Sequence, residues 1–216
     1  MPVRPESWGE MRGRIEVTAG PMFAGKSSFI VDAVERYRMA GASIYIVKHP
    51  LDTRYEGLSK IGTHGGRSVE CEALANPLDI YARVTELDPL IVVIDEAQFY
   101  IENAEVLIEV VRQMASEERI VMLGGLNMDF KGEPFGPMPI LMAIADQVNS
   151  LTAICSKCGS EACFTQRLIN GAPAPVDSEL VIVGAEEAYT ARCRKCHDVP
   201  GKITSDQFLA VKQGVI

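Results

Sequence analysis

The stretch Gly20-Pro21-Met22-Phe23-Ala24-Gly25-Lys26-Ser27 fits the pattern G-x-x-x-x-G-K-[ST]. This pattern ties a chain to one local architecture, because it works only where a strand enters the loop and a helix leaves it. The glycines let the backbone approach phosphate oxygens with its N–H groups turned inward, and the helix adds the positive end of its dipole. Lys26 supplies a cation for β/γ-phosphates and Ser27 a hydroxyl for Mg²⁺. The flanks have the required character: residues 14–19 read as a strand and residues 26–39 as a helix.

The same alternation continues. Strands are expected at 43–48, 90–94 and 119–124, and helices at 77–85, 104–115 and 138–145. Short apolar runs separated by helical patterns imply βαβ units and a parallel sheet covered on both faces. Beyond Leu151 the helical periodicity fades and cysteines appear in pairs. The chain thus divides into a tail (1–13), an α/β nucleotide-binding domain (14–150), a small module (151–200) and a second tail (201–216).

The run Leu90-Ile91-Val92-Val93-Ile94 ends in Asp95-Glu96. A carboxylate at the end of a buried strand beside a phosphate loop suits Mg²⁺, which assigns Asp95. Glu96 is then available to take a proton from an attacking hydroxyl or water. Alternation along the strand should send the two side chains apart. The plainer reading is that both acids cap the helix that follows.

Cys155-Ser156-Lys157-Cys158 and Cys193-Arg194-Lys195-Cys196 form two C-x-x-C pairs with 34 residues between them. Four thiolates make a closed tetrahedral set, the mark of structural zinc. Such a clip would hold the intervening segment against the main domain. Cys71 and Cys163 are spare and read as small buried hydrophobes, and His197 is not needed as a ligand.

Charge excludes one class of partner. Lys plus Arg total 21 against 29 Asp plus Glu, a net charge of −8. From Cys155 onward seven basic residues balance seven acidic ones. Neither part offers the basic face of a nucleic-acid binder. No apolar run reaches the ~18 residues a membrane helix needs, and no apolar leader is visible, so a cytoplasmic location is expected with no membrane partner.

Taken together, the phosphate loop, Asp95-Glu96-Ala97-Gln98-Phe99, Gly125-Leu126-Asn127-Met128-Asp129-Phe130 with Pro134-Phe135-Gly136, and the four cysteines resemble the type II, zinc-bearing thymidine kinase family. The likeness covers roughly residues 13–200. It implies a RecA-like P-loop α/β domain with a mainly parallel sheet, plus a zinc-anchored domain carrying a lasso loop. It also implies transfer of phosphate from ATP with Mg²⁺ to the 5′-hydroxyl of thymidine in nucleotide salvage. A homotetramer and feedback inhibition by thymidine triphosphate follow from the same likeness.

Position by position, the resemblance makes Glu96 the catalytic base and Arg54, within Asp52-Thr53-Arg54, the residue that stabilises phosphoryl charge. ATP would meet Gly20 to Ser27, Asp52, Thr53, Arg54, Asp95 and Gln98. The nucleoside would meet Met22, Phe99, Leu126, Phe130, Thr165, the lasso residues Leu180, Val181, Ile182, Val183 and Gly184, and Tyr189. One departure is Asn127, where the family often has Asp; the shape is kept and a charge is lost. His64 and Gly65 fall in a stretch like the family's mobile loop, with no chemistry assigned.

Two rivals share these motifs. A nucleic-acid-dependent P-loop ATPase with a zinc ribbon would use Glu96 to activate water, but the acidic charge balance opposes it. A kinase for deoxyuridine or deoxycytidine would differ only in its base pocket.

Overall fold

The computed structural model describes residues 13–51, 60–62, 66–180 and 188–202. Its centre is a six-stranded parallel sheet built from β1 (Arg14–Ala19), β2 (Ile44–Lys48), β5 (Glu72–Ala73), β6 (Ile91–Asp95), β7 (Ile120–Gly125) and β8 (Gln147–Ser150). The spatial order is β5-β2-β6-β7-β1-β8. Strand β7 therefore lies between the strand that feeds the phosphate loop and the strand that ends in the acid pair, and the sheet is parallel, as the alternation of strands and helices implies.

Every residue of β6 and β7 is buried, which explains their unbroken apolar character. Alternate residues serve opposite faces. Ile91, Val93, Ile120 and Met122 join Ile46 and the α1 residues Ile30, Val31 and Val34 in one core cluster. Val92, Ile94, Val121 and Leu123 join residues of the helices on the other face. Helix α1 (Lys26–Met39) covers the first face together with the hairpin β3 (Lys60–Gly62) and β4 (Ser68–Glu70). Helices α2 (Pro77–Leu87), α3 (Ala104–Ser116) and α4 (Met138–Ile144) cover the second.

Helix α2 starts where the Asn76 side chain accepts a hydrogen bond from the Leu78 N–H (3.1 Å) and Pro77 fills the first turn. Its last residue is Leu87, two beyond the expected stop at 85, and the Asp88 that follows is in the left-handed region. Among the described residues, no helix is long and apolar enough to cross a membrane.

After residue 151 the chain forms small antiparallel sheets. Strands β9 (Ala153–Ile154) and β10 (Glu161–Ala162) pair, and β11 (Phe164–Ile169) lies between β12 (Ala172–Pro173) and β13 (Ala188–Arg192).

Candidate active site

The phosphate loop joins β1 to α1. A Cβ on Gly20 would lie 2.4 Å from the Leu151 carbonyl oxygen, so only glycine lets the loop leave the strand here. Gly25 takes a left-handed conformation (φ 83°) directly before the helix. The first turn of α1 carries no acid, which leaves its positive end open to an anion. Lys26 is buried and its Nζ donates to the Pro21 carbonyl at 2.8 Å, folded over its own loop. Phe23 also has positive φ (67°) and is half exposed, a conformation that costs energy in a non-glycine residue.

The acid pair is organised by two different devices. Asp95 ends β6 on the α1 face: a Cβ added at Gly124 would meet Asp95 Oδ1 at 2.6 Å and Ile30 Cδ1 at 2.4 Å. Asp95 Oδ1 accepts from the Glu96 N–H at 3.0 Å. Glu96 is left-handed (φ 56°, ψ 39°) and makes no side-chain cap to the 3-10 turn Ala97–Phe99 that follows. The two side chains separate because the strand stops at Asp95 and the backbone reverses hand, not through strand alternation. Both are 3% exposed.

Gln98 braces this corner. Its Nε2 donates to Glu96 Oε2, and its Oε1 accepts from the Leu126 N–H at 3.0 Å. The side chain is fully buried. Gly125 is required beside it, since a Cβ there would lie 2.7 Å from Gln98 Oε1. The sequence reading put Gln98 at the nucleotide; in the structure its amide nitrogen meets Glu96 and its amide oxygen meets the Leu126 N–H.

The remaining candidate pocket residues come from both parts of the chain. Leu126 and Phe130 are buried, and Phe99 is partly exposed. Phe99 meets Phe135 edge-on at 6.0 Å and His49 at 6.0 Å. Thr165, on β11, accepts from the Met22 N–H at 3.0 Å and so joins the small module to the phosphate loop. Arg167 is fully buried with its guanidinium 5.1 Å from the Phe130 ring centre, and it donates to the Glu179 carbonyl. Tyr189 pairs with Arg167 in the β11–β13 register, and Leu180 is exposed.

Asn127 contributes its carbonyl to the Phe135 N–H (3.2 Å), while the carboxylate of Asp129 closes the turn by accepting from Lys131 and Glu133. Asp52, Thr53, Arg54, Val181, Ile182, Val183 and Gly184 lie outside the described residues, as do His64 and Gly65.

Sequence reasoning gave no role to Phe135, which it named only within a motif, and passed over Arg167, Lys48 and His49. Lys48 and His49 had one available signal, a polar pair ending an apolar strand. His49 is buried, its Nδ1 accepts from the Leu51 N–H (3.2 Å), and burial lowers its pKa.

The Sγ atoms of Cys155, Cys158, Cys193 and Cys196 all lie within 4.8 Å of one another. A tetrahedral zinc with ~2.3 Å bonds would hold its sulfurs about 3.8 Å apart. The Cys158–Cys193 separation is 3.6 Å, so the donor set fits. Burial opposes the Cys155 thiolate, but backbone N–H groups of Cys193, Lys157 and Cys158 outweigh it and bring the pKa to about 6. Hydrogen bonding with the Cys158 thiol and burial push Cys196 up to about 12. Four thiolates in this space thus call for a cation.

His197 is turned away from the cluster's role: its Nε2 meets the Phe130 carbonyl at 2.9 Å and its ring stacks on Phe164 at 4.6 Å. Cys71 packs partly buried against the α1-side core, and Cys163 is likewise partly buried.

A phosphate-loop motif on a parallel α/β sheet, a buried acid pair and a four-cysteine cluster define a P-loop α/β protein with a module fit for zinc. A family model described as thymidine kinase matches residues 13–197. The chain belongs to the thymidine kinase family, enzymes that phosphorylate thymidine. Among solved structures, the flagellar accessory protein FlaH from Methanocaldococcus jannaschii is similar at 12% identity and a TM-score of 0.49, over 69% of this chain and 75% of that one. That likeness is too distant to carry an argument.

Proposed function

We propose that this enzyme transfers the γ-phosphoryl group of ATP to the 5′-hydroxyl of thymidine, giving thymidine monophosphate for nucleotide salvage. The observation that carries the reading is the Gln98 brace, which ties buried Glu96 to the backbone of Leu126. Through it, the candidate base and the candidate nucleobase wall form one rigid unit.

In this reading the loop N–H groups and Lys26 hold the triphosphate, with Lys26 exchanging its Pro21 carbonyl for phosphate oxygen. Asp95 and Ser27 offer oxygen donors of the kind Mg²⁺ takes, and Mg²⁺ would neutralise phosphate charge there. Glu96 accepts the proton of the attacking hydroxyl. Arg54, with Asp52 and Thr53, serves the transferred group. Phe99, Leu126, Phe130, Thr165, Tyr189 and the lasso residues 180–184 enclose the nucleoside, excluding water so that unmatched bases leave buried polar groups unpaired. The four cysteines hold structural zinc, which anchors the lasso module. The homotetramer, inhibition by thymidine triphosphate and a cytoplasmic setting belong to the same reading and rest on the family likeness.

The test is phosphate transfer from labelled ATP with Mg²⁺, with and without thymidine. Thymidine monophosphate with slow bare hydrolysis supports the proposal. Hydrolysis without thymidine that single-stranded DNA stimulates would overturn it in favour of a nucleic-acid-dependent ATPase.

A further inference from the structure

Strand β11 carries two unlike rows of side chains. Alternation sends Phe164 and Gln166 to one face and Thr165 and Arg167 to the other. On the first face Phe164 stacks on His197, and the Gln166 amide bonds both the N–H and the carbonyl of Asp198. That face binds the strand to the chain after the second cysteine pair. The second face is turned to the candidate site, where Thr165 accepts from the Met22 N–H of the phosphate loop. Arg167, next in the same row, is fully buried, which is rare for arginine.

Two contacts of Arg167 join segments that are far apart in sequence. Its guanidinium carbon lies 5.1 Å from the centre of the Phe130 ring, and its Nη1 donates to the Glu179 carbonyl. Phe130 follows β7 in the main domain, and Glu179 stands directly before Leu180 in the small module. The Phe130 carbonyl meets His197 at 2.9 Å, so His197 holds the backbone of Phe130 while Arg167 holds its ring. The root of the arginine is fixed as well. Its own carbonyl accepts from the Ala174 N–H at 3.0 Å, and it pairs with Tyr189 across the sheet.

The residue type suits this double task. A planar guanidinium can lie over a ring and donate from its edge at the same time, whereas an ammonium is a point charge. Lys131 Nζ lies 5.4 Å from the same ring centre, but Lys131 is partly exposed, where water weakens the attraction.

We propose that Arg167 is a positioning residue for the nucleoside: it sets the Phe130 ring and the main chain at Glu179 in fixed relation, acting through them and not on the substrate. This rests on the reading in which Phe130 and Leu180 line the nucleoside site; the contacts themselves do not. Lys26 and Glu96 are held by other bonds, to the Pro21 carbonyl and to Gln98. Loss of Arg167 should therefore weaken thymidine binding and leave the handling of ATP intact.

The experiment is initial-rate kinetics on the full-length protein, varying thymidine and ATP in turn, for Arg167→Met, Phe130→Leu and the double variant. Arg167→Met should raise the thymidine KM about tenfold or more, the scale of a lost charge-assisted hydrogen bond, with kcat and the ATP KM within about threefold. In the double variant the rise in thymidine KM should fall short of the product of the single rises, because the two residues act as one unit. A near-normal thymidine KM in Arg167→Met overturns the proposal. So do equal rises in both KM values, a fall in kcat larger than the rise in thymidine KM, or a double variant at the full product. If Arg167→Met does not fold, Arg167→Lys takes its place: a rise in the thymidine KM alone supports the proposal, and wild-type values for both substrates overturn it. Wild-type protein that does not phosphorylate thymidine overturns the kinase reading and this proposal with it; an active wild type with unchanged variants overturns the proposal alone.

Discussion

The backbone N–H of Met22 donates to the hydroxyl of Thr165 at 3.0 Å, although 143 residues separate them in sequence. One atom of the small module thus fixes the shape of the phosphate loop. Thr165→Val keeps the side-chain shape and removes the acceptor. It should cost about 1 kcal/mol of stability. It should also raise the thymidine KM about tenfold, because Thr165 is a proposed base contact. Thr165→Ser should recover most of both. Denaturation midpoints and initial rates check this.

Glu96→Gln retains volume but cannot accept the hydroxyl proton. A kcat reduction of roughly 10² to 10⁴ is expected, with the fold intact. A variant with near-normal kcat would remove Glu96 from the role of base.

His49 is a source of acid sensitivity. Burial lowers its pKa from the ordinary 6.5, and the Leu51 N–H bond to Nδ1 requires an unprotonated nitrogen there. Above 6.5 the ring is neutral in both folded and unfolded chains. As the pH falls from 6.5 toward the lower native value, only the unfolded chain gains the proton, so stability declines. His197 is also lowered by burial and adds the same trend. His49→Asn should therefore show a shallower fall between about pH 7 and 5 than wild type. Equal slopes in urea titrations across that range would rule His49 out.

Stripping metal with a chelator, or replacing Cys155 or Cys196 by Ser, should release one zinc per chain and loosen β11 and β13. Thymidine affinity should fall with it, since His197 links the second cysteine pair to the Phe130 carbonyl. Metal analysis and proteolysis of the 151–200 segment test this. Full zinc content in either variant would refute the four-thiolate site.

The central elements were legible because burial on both faces writes itself as apolar runs: β6 and β7 sit where 90–94 and 119–124 predicted. The edge strands were not. Strand β8 is Gln-Val-Asn-Ser and mostly exposed, and β5 has two residues, so neither leaves a periodic signal. The sheet formed by β11, β12 and β13 escaped notice for a related reason, since the cysteine spacing dominated that region.

At the site, glycine spacing announced the phosphate loop and the strand end announced Asp95-Glu96. The Gln98 brace was invisible, because it depends on Glu96 reversing hand and on room left by Gly125. That Lys48 stands opposite Asp95 in the β2–β6 register is likewise something no local pattern encodes.

The place of β7 between β1 and β6 acts as a ruler. With strands ~4.8 Å apart, the phosphate loop and the acid pair are offset sideways by about 10 Å. The order of the strands thus sets how far the loop and the acid pair stand apart before any pocket residue touches a substrate.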